Sequence, residues 1–120
     1  VAVRAVRGAI QVDTDDPAVV YRGVREMLAA VLERNDLTTD DVISIFFTAT
    51  TDLTSCFPAA GAREVGFDDV PLLCASEIAV AGSLPRTVRL LAHVETARPR
   101  AAIRHAFLGA AAALRDDLKL

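Results

Sequence analysis

Tryptophan is absent from this sequence, lysine occurs once, at Lys119, and aromatic residues reach only 5%. Positive charge is never gathered into a run, and the formal net charge is −3. A nucleic-acid surface needs a basic face, so this balance argues against nucleic acid as a partner. Cysteine is scarce as well. Cys56 and Cys74 form no C-x-x-C motif and no His/Cys ligand spacing. They make no disulfide framework, so the expectation is a reducing cytoplasm and no metal site. No apolar run approaches the about 18 residues of a membrane span, so no membrane association is expected. No charged stretch followed by a long apolar one marks a signal peptide at the N-terminus.

What is present is apolar. The hydrophobic fraction is 52% and the mean hydropathy +0.36. A chain of 120 residues suffices for one domain, residues 1–120, with one core. So small an apolar chain either buries surface between subunits or owes its hydropathy to alanine. Apart from Lys119, the 13 basic residues are all arginines. The guanidinium fork matches a carboxylate bidentately, so arginines gathered in one pocket of an acidic chain point to a small anionic ligand.

Alternation and β-branched residues predict a strand over 1–12. Asp13-Thr14-Asp15-Asp16-Pro17 reads as a helix start, with a capping side chain, acids in the first turn and proline at the first helical position. The helix runs to about Arg34 on a stripe of Val20, Val24, Leu28, Val31 and Leu32, and Asn35 is expected as a left-handed stop. A turn at Thr38–Asp41 leads to a second strand over 42–50. There Ile43, Ile45 and Phe47 point one way, and Phe46 on the other side predicts that both faces are covered. Asp52 to Phe57 is a loop, Pro58 to Val65 a short helix ended by Gly66, and Val70 to Ala75 a short strand. After a turn at Ala81-Gly82-Ser83, the longest strand covers 84–96, with Val88, Leu90, Ala92 and Val94 on one face. Periodicity assigns Ala101 to Leu114 to a helix. The element order indicates an α/β domain with a mixed sheet.

Several segments, in order along nearly the whole chain, carry a resemblance. They are Val6-Arg7-Gly8-Ala9, Ala49-Thr50-Thr51-Asp52-Leu53, Phe57-Pro58-Ala59 with Arg63-Glu64, and Val70-Pro71-Leu72-Leu73-Cys74-Ala75-Ser76-Glu77. Gly82-Ser83-Leu84 then precedes Val88-Arg89-Leu90, and Ile103-Arg104-His105 precedes Leu114-Arg115-Asp116-Asp117-Leu118. Together they resemble the monofunctional α/β, AroH-type chorismate mutases. The resemblance implies a five-stranded mixed sheet backed by the long helix, and a homotrimer closed into a pseudo α/β-barrel with sites between subunits. It implies a short strand over His105 to Leu108 before a helical turn, against the periodicity. It also implies an isomerase that rearranges chorismate to prephenate, toward phenylalanine and tyrosine, with no cofactor.

That reaction is pericyclic, with one C–O bond breaking as a C–C bond forms. An enzyme helps by holding the folded conformer and by stabilising charge on the ether oxygen. By the resemblance, Arg89 donates to the ether oxygen and a carboxylate, Arg7 binds a carboxylate, and Glu77 accepts the substrate hydroxyl. Read alone, these residues are a surface-facing strand charge, an exposed strand charge and a solvated loop acid. Cys74 would line the site, although a free cysteine is more often a small buried hydrophobe. Phe57 and Arg63 would reach in from a neighbouring subunit, and Ala59 and Leu114 line the pocket or simply pack. Phe107 stands where the family can have a site tyrosine, and Ala60 where it can have a lysine, so carboxylate binding should rest more on Arg7. His93 and His105 read as structural histidines. Two other functions stay open: a non-catalytic trimeric small-anion binder, and an acid/base enzyme using Glu77.

Overall fold

The computed structural model describes residues 1–113. Strand β1 (Ala2–Gln11) leads to helix α1 (Pro17–Arg34), and a 3-10 turn over Thr39–Asp41 leads to β2 (Val42–Ala49). Helix α2 (Pro58–Arg63), β3 (Leu72–Ser76), β4 (Thr87–Thr96) and β5 (Ala106–Leu108) follow. The strands form one mixed sheet in the order β3-β2-β4-β1-β5. β2 and β1 run antiparallel to β4 between them, while the edge strands β3 and β5 are parallel to their neighbours.

One face of this sheet carries the core. Val6 and Ile10 of β1, Val88, Leu90, Ala92 and Val94 of β4, and Ile45 and Phe47 of β2 are buried there. They meet Val20, Val24, Met27, Leu28 and Val31 of α1, with Ala59 and Ala62 of α2. Met27, which the stripe omitted, is fully buried, and Leu32 is half-buried against the edge of the core. Gly8 faces this helix. A Cβ there would stand 3.1 Å from both Leu90 and Met27, so the small residue lets α1 sit close against the sheet.

The start of α1 differs from the expectation. Proline is at N1 or N2, but Asp16 at the N-cap makes no side-chain cap and the first turn holds no acid. Its end differs too. Asp36, not Asn35, takes the left-handed conformation, at φ 55. Asn35 is buried instead, donating to the carbonyls of Val31 and Arg104 and accepting from the Arg104 amide at 2.7 Å. A buried amide must spend its polar atoms on partners, and here that need joins the end of α1 to the segment before β5.

In β2 the register shifts between Val42 and Ser44. The extra residue puts Val42 in the core with Ile45 and Phe47 and leaves Ile43 39% exposed, contrary to simple alternation. Phe46 is 44% exposed, so the described residues leave the second face open at β2. β4 starts at Thr87 and matches β1 in length instead of exceeding it. The short strand before a helical turn that the resemblance implies is present as β5 and a 3-10 turn over Gly109–Ala113, in place of the helix that periodicity alone assigns from Ala101. Alanine favours a helix locally, but pairing with the edge of β1 supplies Ala106–Leu108 with partners a lone short helix lacks.

Candidate active site

The sheet's second face, away from α1, gathers the charged residues. Ala9 pairs with Arg89 and Leu91 with Arg7, so both arginines project from the same side. Thr48 pairs with Arg89 across β2 and shares that side. Beyond the end of β3, the Glu77 amide donates to the Ala49 carbonyl at 2.9 Å, which brings its carboxylate back over the sheet. There Glu77 Oε1 meets Arg89 Nη1 in an ion pair, and Glu77 Oε2 accepts from Thr48 Oγ1 at 2.7 Å. The two charged side chains are only 23% and 17% exposed. Partial burial shields the pair from solvent and strengthens it relative to a surface pair. Thr48 escaped the sequence reading. Its signal was its place in β2 opposite Arg89, which is invisible until the register is known.

Arg7 lies 5.8 Å above the Phe107 ring. That ring is buried with Ala9 and Ala111, so it serves as a platform beneath the guanidinium. The Arg7 amide donates to His105 Nδ1 at 2.9 Å, which uses that nitrogen as an acceptor and places the proton of the neutral ring on Nε2. His93 Nδ1 stands 3.4 Å from Ser44 Oγ. Among the described residues, no three His, Cys, Asp or Glu side chains gather to hold a metal, and no helix is long and apolar enough to cross a membrane.

The other expected residues lie elsewhere. Cys74 pairs with Phe47 and belongs to the helix-side face. It lines a recess of about 370 Å³ with Leu53, Ser55, Phe57 and Pro58. Phe57 is 74% exposed at its rim, Arg63 is exposed at the end of α2, and Ala59 is buried in the core. Leu114 lies outside the described residues. Within one chain, then, Arg7, Glu77, Arg89 and Phe107 come together, Phe57 and Cys74 form a second group, and the sheet separates the two.

A family model described as chorismate mutase type I matches residues 3–118. The chain belongs to that family. It is similar to the chorismate mutase AroH of Thermus thermophilus, at 45% identity over 118 residues, covering 98% of this chain and 97% of that protein. The chorismate mutase AroH of Bacillus subtilis (strain 168) is 34% identical over 119 residues, covering 98% and 94%. Among solved structures, a chorismate mutase from Clostridium thermocellum superposes with a TM-score of 0.87 at 38% identity, covering 89% of this chain and 96% of that one.

In this chorismate mutase family member, two aspartates secure the loop between β2 and α2. Asp15 accepts from the amides of Thr54 at 3.0 Å and Ser55 at 3.1 Å, and from the Thr54 hydroxyl at 3.2 Å. Asp52 accepts from the Thr50 hydroxyl and from the Arg86 amide at 3.0 Å. The Thr54 amide, with Thr54 and Ser55 as further donors, holds the Asp15 carboxyl below its ordinary value, and the Thr50 hydroxyl does so first for Asp52. A carboxyl whose pKa is lower in the folded chain stabilises it above the unfolded value. That stabilisation is lost as pH falls through the folded value. Thermal unfolding midpoints should therefore drop between about pH 5 and pH 3, and less steeply in an Asp15→Asn/Asp52→Asn variant. An equally steep fall in that variant would show that these two carboxyls do not carry the acid response.

Proposed function

We propose that the chain rearranges chorismate to prephenate, with Arg89 donating to the ether oxygen, Arg7 binding a carboxylate and Glu77 accepting the substrate hydroxyl. As a member of the type I family it is a chorismate mutase, an isomerase. The observation that carries these roles is the Arg89–Glu77 pair on the sheet face that also bears Arg7. A guanidinium held by one carboxylate keeps other N–H donors for an incoming oxygen, and its position is set before substrate arrives. Such preorganisation acts most strongly where charge grows in the transition state. Glu77 orients Arg89 and offers an acceptor to the hydroxyl, while Arg7 on its aromatic platform neutralises a carboxylate. Phe57, Arg63 and Cys74 would complete the pocket from a second subunit, with Ala59 behind them, and by the family resemblance Leu114 is a further lining residue.

The same reading makes the protein a homotrimer with its sheets turned inward as a pseudo-barrel, working in the cytoplasm without cofactor. Its support is the second sheet face, which exposes Val3 at 57%, Phe46 at 44% and Leu73 at 58%. Apolar surface of that kind on a monomer marks an interface. Two groups of pocket residues on opposite sides of one sheet also fit a cleft built by two chains. The acid/base alternative would need Glu77 to take a proton during the reaction, whereas here its carboxylate holds Arg89 and accepts from Thr48, with acceptor sites left for a hydroxyl.

The test is purified protein with chorismate, followed by loss of chorismate absorbance and detection of prephenate. A pericyclic step has no proton in flight. The expectation is therefore a kcat nearly flat from about pH 6 to 9, without a solvent deuterium effect on chemistry. A bell-shaped profile near neutrality with an isotope effect would instead assign the work to an acid or base.

A further inference from the structure

We propose that Asp15 is a positioning residue for the substrate cleft, its carboxylate fastening the Thr54-Ser55 turn and so setting where Phe57 stands. This rests on the reading of Phe57 as a pocket residue. The 50–57 loop contains no helix or strand, and the Phe57 ring is 74% exposed, so packing within the chain does not hold it. Behind it, Pro58 and Ala59 are buried at the start of α2. Ahead of it, the backbone amides of Thr54 and Ser55 both donate to Asp15, about forty residues away in sequence. Hydrogen bonds from amides to an ionised acceptor are stronger than neutral ones, and two to one carboxylate fix direction as well as distance. The loop's other end is tied by Asp52, through Thr50 and the Arg86 amide, to the residue before β4. Phe57 therefore stands on a loop pinned at both ends by carboxylates.

A plainer role would be capping α1, and the structure speaks against it. Asp16 occupies the N-cap and no side chain caps the helix. The Asp15 carboxylate is thus spent on the loop. Both oxygens are used, Oδ2 on Thr54 and Oδ1 on Ser55, so the geometry needs a planar two-oxygen acceptor.

Two measurements test this. The first is a cycle of Asp15→Ala, Phe57→Ala and the double variant, with kcat and KM for chorismate. Losing hydrogen bonds to a charged acceptor should raise KM about tenfold in Asp15→Ala, with kcat changed by less than about threefold. Where Phe57→Ala has already removed the positioned ring, adding Asp15→Ala should change KM by less than about twofold. A full second tenfold rise in that background, or an unchanged KM in Asp15→Ala alone, overturns the proposal. Asp15→Asn retains one acceptor oxygen and should fall between alanine and wild type. It carries the same cycle should the alanine variant fail to fold. The second measurement is amide hydrogen exchange at Thr54 and Ser55, which makes no reference to turnover. Exchange should be faster in Asp15→Asn than in wild type, and equal rates would show that no clamp exists. Wild-type protein that leaves chorismate unchanged overturns the functional reading and this role with it, while the exchange rates still report whether Asp15 holds the loop.

Discussion

Arg89→Ala is expected to lower kcat by about a hundred- to a thousandfold, the usual consequence of removing one preorganised donor from a developing oxyanion. The effect belongs to kcat because the ether oxygen gains charge chiefly in the transition state, so the lost interaction was weaker in the ground state. The structure adds a second reason for a large loss. Arg89 and Glu77 are paired and mostly buried, so alanine takes from the Glu77 carboxylate the guanidinium it pairs with and leaves it the Thr48 hydrogen bond. An uncompensated carboxylate near the site would repel the substrate's own carboxylates. Arg89→Lys should fail nearly as badly. An ammonium restores the charge but cannot face Glu77 and the ether oxygen at once in a guanidinium's planar geometry. Steady-state kinetics on the two variants decide the matter. Near-normal kcat with a raised KM would remove Arg89 from the chemical step and make it a ground-state binder.

Mixing two disabled variants should restore activity well above either parent. Arg63 ends α2, in the helix layer, while Arg89 projects from the opposite face of the sheet. On the shared-cleft reading, the two reach one small ligand from different chains. If each cleft takes Arg63 and Phe57 from one subunit and Arg7, Glu77 and Arg89 from the next, the interface is heterologous and closes as a ring. Arg63→Ala and Arg89→Ala chains, unfolded together and refolded, would then form mixed trimers. Some of their clefts pair an intact Arg63 with an intact Arg89 and have wild-type composition. A monomer in light scattering would defeat the idea. So would a mixture with only the average activity of its parents, once subunit exchange is confirmed and each parent is severely impaired.

The large features of the fold could be read in advance because they follow from local periodicity. The α1 stripe from Val20 to Val31 and the alternation of Val88, Leu90, Ala92 and Val94 each place an apolar face with one period, and each is buried as expected. Where the reading departed from the structure, a non-local partner won. The Ala-rich stretch from Ala101 favours a helix by itself, but the edge of β1 captured Ala106–Leu108. Asn35 looked like a helix stop by residue type, but the Arg104 backbone engaged its side chain. The bulge near Ile43 reversed its side because register is a property of two strands. Asp15 read as part of a helix start, but the loop ahead of Phe57 claimed its carboxylate.

The candidate residues divide in the same way. Composition marked an arginine-rich, acidic chain suited to a small anion, and the ordered segments named the family. Alone, the sequence determined residue types, their local periods and the membership that joins them, because all three are written along one dimension. Only the tertiary structure decided that Arg7, Arg89 and Thr48 share one face with Glu77 folded back upon it, and that Cys74 and Phe57 stand on the other side. Which side a strand residue takes depends on register, and which loops meet depends on the crossings of the sheet. Both are set by packing the whole core at once, and no short stretch of the chain contains that information.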